Sequence, residues 1–179
     1  IDPDYSVCGS FGAFRTDEQL HRNLVHCVTH LLFSHETPSA WIGNLKGGWA
    51  DEGLAHFFED RLFGICDNYC YEEQNTVFEF KGGKFKPALR ALVEKEALPP
   101  VAGVISKNST QLEPVEHALV LAMVEYLIQI DPLKFRQLGV KLRSKVEVRA
   151  ALQELYQLSV FEFERRLTAW IVATYPKED

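Results

Sequence analysis

Residues 26–30 read His-Cys-Val-Thr-His, and residues 49–55 read Trp-Ala-Asp-Glu-Gly-Leu-Ala. On a helix, His26 and His30 stand at i and i+4, with Cβ atoms about 5–6 Å apart. Two imidazoles so placed can each present a nitrogen to one Zn²⁺ at about 2.0–2.1 Å. A carboxylate from a second helix, Glu52, completes three protein ligands and leaves a fourth position open. That open position separates a catalytic zinc from a structural one.

The flanking sequence supplies the helices. Thr16-Asp17-Glu18-Gln19 has capping-box spacing. Leu20, Leu24, Cys27, Val28, Leu31 and Leu32 then recur at helical spacing, which predicts a helix over 17–34. Pro38, Gly43, Gly47 and Gly48 mark a loop that permits an antiparallel return. Trp49–Phe63 is predicted as the second helix, with Gly64 as its stop and Phe57, Phe58 and Phe63 as core.

Further on, Val77-Phe78-Glu79-Phe80 alternates into Gly82-Gly83 and reads as a small hairpin. Pro87 opens a short helix to about Lys95, ended by Pro99-Pro100. Pro114–Ile130 carries Val115, Ala118, Leu119, Ala122, Tyr126 and Leu127 on one broad face. Asp131-Pro132 starts another helix through about Leu142, and Ser144-x-x-Glu147 and Ser159-x-x-Glu162 have capping-box spacing before a last helix that ends ahead of Pro176.

The expected fold is therefore mainly α, with six or seven helices and at most a small β-hairpin or edge strand. The 179 residues are one domain's worth of chain. Residues 1–15 form an N-terminal segment with room for one strand, and 16–64 a helix pair around the histidines. Residues 65–112 are irregular with a short helix, and 113–175 form a helical tail.

Composition narrows the function classes. Nineteen Lys and Arg against 25 Asp and Glu give a net charge of -6, which speaks against nucleic-acid and anionic-membrane binding. The longest apolar run, Ala118–Val124, is far short of the roughly 20 residues a bilayer span needs. Cys8, Cys27, Cys66 and Cys70 form no Cys-x-x-Cys pair, so neither a zinc ribbon nor a thioredoxin-type site is indicated. Ile1–Gly9 has neither an initiator Met nor a basic-then-apolar signal segment, as expected of a processed form or a piece of a longer chain.

His-x-x-x-His on one helix, then Trp-x-x-Glu-Gly-x-Ala-x-x-Phe on the next, resembles the gluzincin metallopeptidases of the peptidase MA-like branch. The stretch His117–Leu127 is similar to that branch's Tyr-x-x-Ser-x-x-Leu-Val-x-Tyr-Leu helix. Lys134-Phe135, Ser159–Glu164 and Trp170 fit its helical tail. The resemblance implies a zincin-like helical domain, a zinc held by His26, His30 and Glu52, and a peptide or protein as substrate or ligand.

Three positions depart from the family pattern. In His-Glu-x-x-His the Glu takes a proton from the attacking water and hands it to the leaving amine; here that position is Cys27. Loss of a general acid–base group typically costs about 10²–10⁴-fold, so Cys27→Glu is expected to return activity of that order. His56 stands where related enzymes often carry an acidic residue that orients a zinc histidine. His117 stands where the family places a Tyr that stabilises the oxyanion, a role some gluzincins give to His. The family's β-sheet subdomain precedes the first zinc helix; residues 1–15 here have room for one strand, so either the sheet sits on sequence outside these residues or the cleft is incomplete.

Three functional readings follow. The first is a degenerate zinc-metallopeptidase-like domain that binds zinc, with hydrolytic activity lost or strongly reduced. The second is an active zinc metallopeptidase in which another carboxylate, such as Glu36 of the loop, serves as base. The third is a metal-free helical module that binds peptides or proteins. The first predicts that His26, His30 and Glu52 converge at the floor of a groove.

Overall fold

The computed structural model describes residues 16–34, 41–69 and 80–178. Among them are eight α-helices and no strand: α1 Asp17–Ser34, α2 Gly48–Phe63, α3 Phe85–Glu94, α4 Val101–Val104, α5 Pro114–Ile130, α6 Pro132–Arg143, α7 Val148–Tyr156 and α8 Val160–Thr174. The eighth helix beyond the expected six or seven is the single turn α4. It starts directly after Pro100, where the Glu164 carboxylate accepts the Val101 N–H at 2.9 Å. The expected strand in 1–15 and residues 77–79 of the expected hairpin lie outside the described residues, and Lys81–Gly83 forms a 3-10 turn. No helix among the described residues is long and apolar enough to cross a membrane.

Capping chemistry accounts for several helix starts. Thr16 and Gln19 form the reciprocal box, Thr16 N–H donating to the Gln19 side chain at 2.9 Å and Gln19 N–H to Thr16 Oγ1 at 3.3 Å. Asp131 accepts the N–H groups of Leu133 and Lys134, and Ser159 accepts that of Glu162. Ser144 does not cap α7. It closes α6, its hydroxyl donating back to the Val140 carbonyl, and α7 starts after Glu147 instead. The Ser-x-x-Glu spacing there falls on a helix end, where the hydroxyl has a nearer acceptor.

Helix α5 is the axis of the core. Its expected single apolar face is in fact a sheath: Glu116–Val124 and Leu127 are all buried. A helix apolar on all sides belongs inside, and here α2, α3, α6 and α8 all pack on it, α2 most extensively. Gly53 permits that closeness, since a Cβ there would overlap the Val120 carbonyl and come within 2.6 Å of Val124 Cγ2. Trp49, Phe85, Leu119, Leu121, Met123 and Phe163 are fully buried in the resulting core. Phe58, expected in the core, lies on the outer side of α2 at 38% exposure.

Helix α1 is turned the other way. Its apolar stripe locates the helix correctly, but Leu24, Val28, Leu31 and Leu32 are exposed. The face that packs on α2 is polar: Arg22, Asn23, His26, Thr29, His30 and Ser34 are the buried residues. Burying such a face is unfavourable unless each group finds a partner, and the partners are specific. Arg22 pairs with Asp67 at 2.7 Å and Glu18 at 3.0 Å, and Asn23 donates to Asn68 at 3.1 Å. At the C-terminal end of α1, the Arg143 guanidinium of α6 donates to the Phe33 carbonyl, and Phe33 stacks on Phe135 at 5.8 Å.

Candidate metal centre

The polar face of α1 meets the start of α2 and the start of α5 in one closed cluster. His26 and His30 come from α1, with ring centroids 4.7 Å apart. Asp51, Glu52, His56 and Glu59 come from α2, the last three sharing a face at spacings of four and three. His117 comes from α5. All seven side chains are 0–1% exposed. The expected convergence is present, but at the bottom of the packing rather than on the floor of an open groove.

Glu52 is the centre. Its Oε2 lies 3.7 Å from His26 Nε2, 3.6 Å from His56 Nε2 and 3.6 Å from His117 Nδ1; its Oε1 lies 3.8 Å from His30 Nε2. These separations are too long for hydrogen bonds. They are close to the roughly 3.3 Å edge between ligand atoms of a tetrahedral ion bound at about 2.0–2.1 Å. His26 Nε2, although buried, makes no hydrogen bond.

The outer nitrogens explain the aim of the inner ones. Glu59 Oε2 lies 3.2 Å from His26 Nδ1 and 2.9 Å from His56 Nδ1, while Asn68 donates to Glu59 Oε1. Asp51 Oδ2 lies 2.8 Å from His30 Nδ1 and accepts the Trp41 indole N–H at 2.6 Å. A carboxylate hydrogen-bonded to Nδ1, as Glu59 is for His26 and His56, selects the tautomer protonated there and turns the Nε2 lone pair inward. The His26 Nε2 lone pair and the Glu52 carboxylate thus face a common space with His30 Nε2 beside them, while the His56 Nε2 lone pair is engaged by His117 Nδ1 at 2.9 Å.

Burial sets the charge states. It pushes His26 down to about 3, against the opposing pull of Glu59, and holds His56 well below its ordinary value, helped by His117 and His30. Both stay neutral at physiological pH, the form that ligates metal. Burial pushes the Glu59 carboxyl up, and His26 and Asn68 pull it back.

Each residue singled out by the sequence can now be placed. His26, His30 and Glu52 come together. His117 joins them, donating or accepting a 2.9 Å hydrogen bond with His56 Nε2. Cys27 does not: it is half-buried, and its thiol sits 3.9 Å from Asn23 Oδ1 along its own helix. Glu36 lies outside the described residues.

Asp51, in the first turn of α2 and outside the predicted ligand set, lies 2.8 Å from His30 Nδ1. Glu59 was passed over, although its place seven residues beyond Glu52 puts it on the same helix face. His56 takes the orienting position without an acid, and Glu59, one turn further, supplies the acid. No family model matches the chain, and no curated protein or solved structure is significantly similar to it.

Proposed function

We propose that the chain is a degenerate zinc-metallopeptidase-like domain of zincin-like, gluzincin type, which binds zinc through His26, His30 and Glu52 and has lost most or all hydrolytic activity. The observation that carries this reading is the convergence of His26 Nε2, His30 Nε2 and the Glu52 carboxylate, with His26 steadied from behind by Glu59 and Asp51 close to His30 Nδ1. The residues fit zinc by donor type, by spacing and by the lone pair of the buried His26 Nε2. Zinc bound there supplies Lewis acidity able to polarise a carbonyl.

The chain's own residues bind and orient. They do not move a proton, because Cys27 offers a short, weakly basic group where a carboxylate is needed, and its thiol faces Asn23. Nor do they receive a substrate, since every cluster side chain is 0–1% exposed. A surface groove of about 200 Å³ lies elsewhere, between the turn before α2 and the α6–α7 connection, and none of the cluster residues lines it.

Metal analysis tests the reading. Purified protein should carry zinc, or take it up after chelation. At a free concentration 100 times its Kd, zinc should stabilise the fold by about 2.7 kcal/mol. His26→Ala should abolish the shift in melting temperature. If no zinc is found and added zinc leaves melting unchanged, the metal-free module for peptide or protein ligands becomes the better reading.

A further inference from the structure

The cluster contains more donors than one zinc uses, and the surplus is arranged. His56 Nε2 and His117 Nδ1 are 2.9 Å apart, and each is 3.6 Å from Glu52 Oε2. That triangle brackets the roughly 3.3 Å ligand edge of a tetrahedral zinc, as closely as the 3.7 and 3.8 Å separations of Glu52 from His26 and His30 approach it. We propose a second metal position formed by His56, His117 and Glu52, so that the domain holds a dinuclear divalent-cation centre with Glu52 as the bridging carboxylate.

Two further observations support this. His56 is oriented as a ligand, its Nδ1 turned to Glu59 Oε2 at 2.9 Å and its Nε2 inward. The two rings come from different helices, α2 and α5, held in register where Gly53 meets Val120. Their meeting is therefore set by the closest packing in the fold and not by a mobile side chain.

Binding at this position replaces the ring-to-ring hydrogen bond. With His56 protonated on Nδ1, His117 donates its Nδ1 proton to His56 Nε2. When His117 Nδ1 ligates, the proton resides on His117 Nε2 instead. The ring stays neutral and no net proton is lost. In two-metal sites the ions stand about 3.5–4 Å apart, a span one carboxylate can bridge.

The proposal rests on the zinc reading above only through the sharing of Glu52, and stoichiometry separates the two. Chelated full-length chain is titrated with Co²⁺, followed by visible absorption, and in parallel loaded with Zn²⁺, freed of excess and assayed for metal per chain. Two equivalents are expected for the native chain, one for His117→Asn and one for His26→Asn. A single equivalent, lost in His26→Asn and kept in His117→Asn, overturns the second position and leaves the first. A single equivalent, lost in His117→Asn and kept in His26→Asn, overturns the dinuclear centre and the first position and leaves the metal on His56, His117 and Glu52. No metal on the native chain overturns both. The Co²⁺ end point is read on the unaltered protein, so a variant that fails to fold does not decide the outcome.

Discussion

Asp51 Oδ2 lies 2.8 Å from His30 Nδ1, with both side chains closed off from solvent. This contact turns a residue at the first turn of α2 into the support of a ligand on α1. Outer carboxylates of this kind typically account for about 10–100-fold in metal affinity. Asp51→Asn is therefore expected to weaken zinc binding by that factor while leaving the stoichiometry unchanged, as read by competition with a chromophoric chelator.

Hydrolysis is the second expectation. The native, zinc-loaded chain should leave unstructured peptides uncleaved over hours. From the sequence alone, Cys27→Glu should restore about 10²–10⁴-fold. The burial of all metal-facing atoms changes that expectation: a base without access does not turn over, so the variant should stay at background. Release of fragments, followed by mass spectrometry, checks both. Metal-dependent cleavage by the native chain, abolished in His26→Ala, would show that the degenerate reading is wrong.

The pH dependence follows from the depressed imidazoles. In the unfolded chain a His takes up a proton near pH 6.5; in the fold His26 does so only at about 3, and His56 well below its ordinary value. Between those limits the unfolded state binds more protons, so stability rises with pH. The contribution is complete above about pH 6.5 and is lost progressively as the pH falls toward 3. Glu59, pushed up by burial, acts in the opposite sense as it protonates. Melting temperatures of chelator-treated protein should fall from pH 7 to pH 4 as the histidines of the unfolded chain take up protons.

Gly53→Ala should be costly. The added methyl meets the Val120 carbonyl and Val124 Cγ2, and neither backbone can yield without parting α2 from α5. Overpacking of this kind costs about 1–3 kcal/mol, measurable as a lower urea midpoint.

Leu32→Ser tests the orientation of α1. Leu32 is 68% exposed, and surface substitutions usually stay within about 0.5 kcal/mol. A loss of 2 kcal/mol or more in urea unfolding, the order expected for a core leucine, would mean that the stripe is buried in solution.

The helices were legible because their signals are local. The ranges 17–34 and 114–130 follow from caps, periodicity and Pro or Gly punctuation, and α1 and α5 start and stop there. What periodicity could not give is which side of α1 faces in. An apolar stripe normally does, and here the rule gives way because the opposite face carries polar groups whose partners lie on other elements. The His-x-x-x-His pair and Glu52 were legible as a spacing pattern, since two positions on one helix fix their own geometry. Asp51, Glu59, Asn68 and Trp41 were not, because their roles depend on how α1, α2 and the loops meet.

The inverted packing of α1 has a consequence for how the domain opens. Most helices are held by oil-like burial, which is broad and insensitive to the state of any one atom. This one is fastened by a small number of directional clasps: Arg22 on Asp67, Asn23 on Asn68, the two imidazoles on their carboxylates, and Arg143 on the last turn. Such a fastening gives way all at once, since each clasp left alone strands a buried polar group. The α2–α5 body keeps its own apolar core when that happens. The chain is thus built as a durable body carrying a latch, and whatever neutralises the donors between them sets how long the latch stays shut.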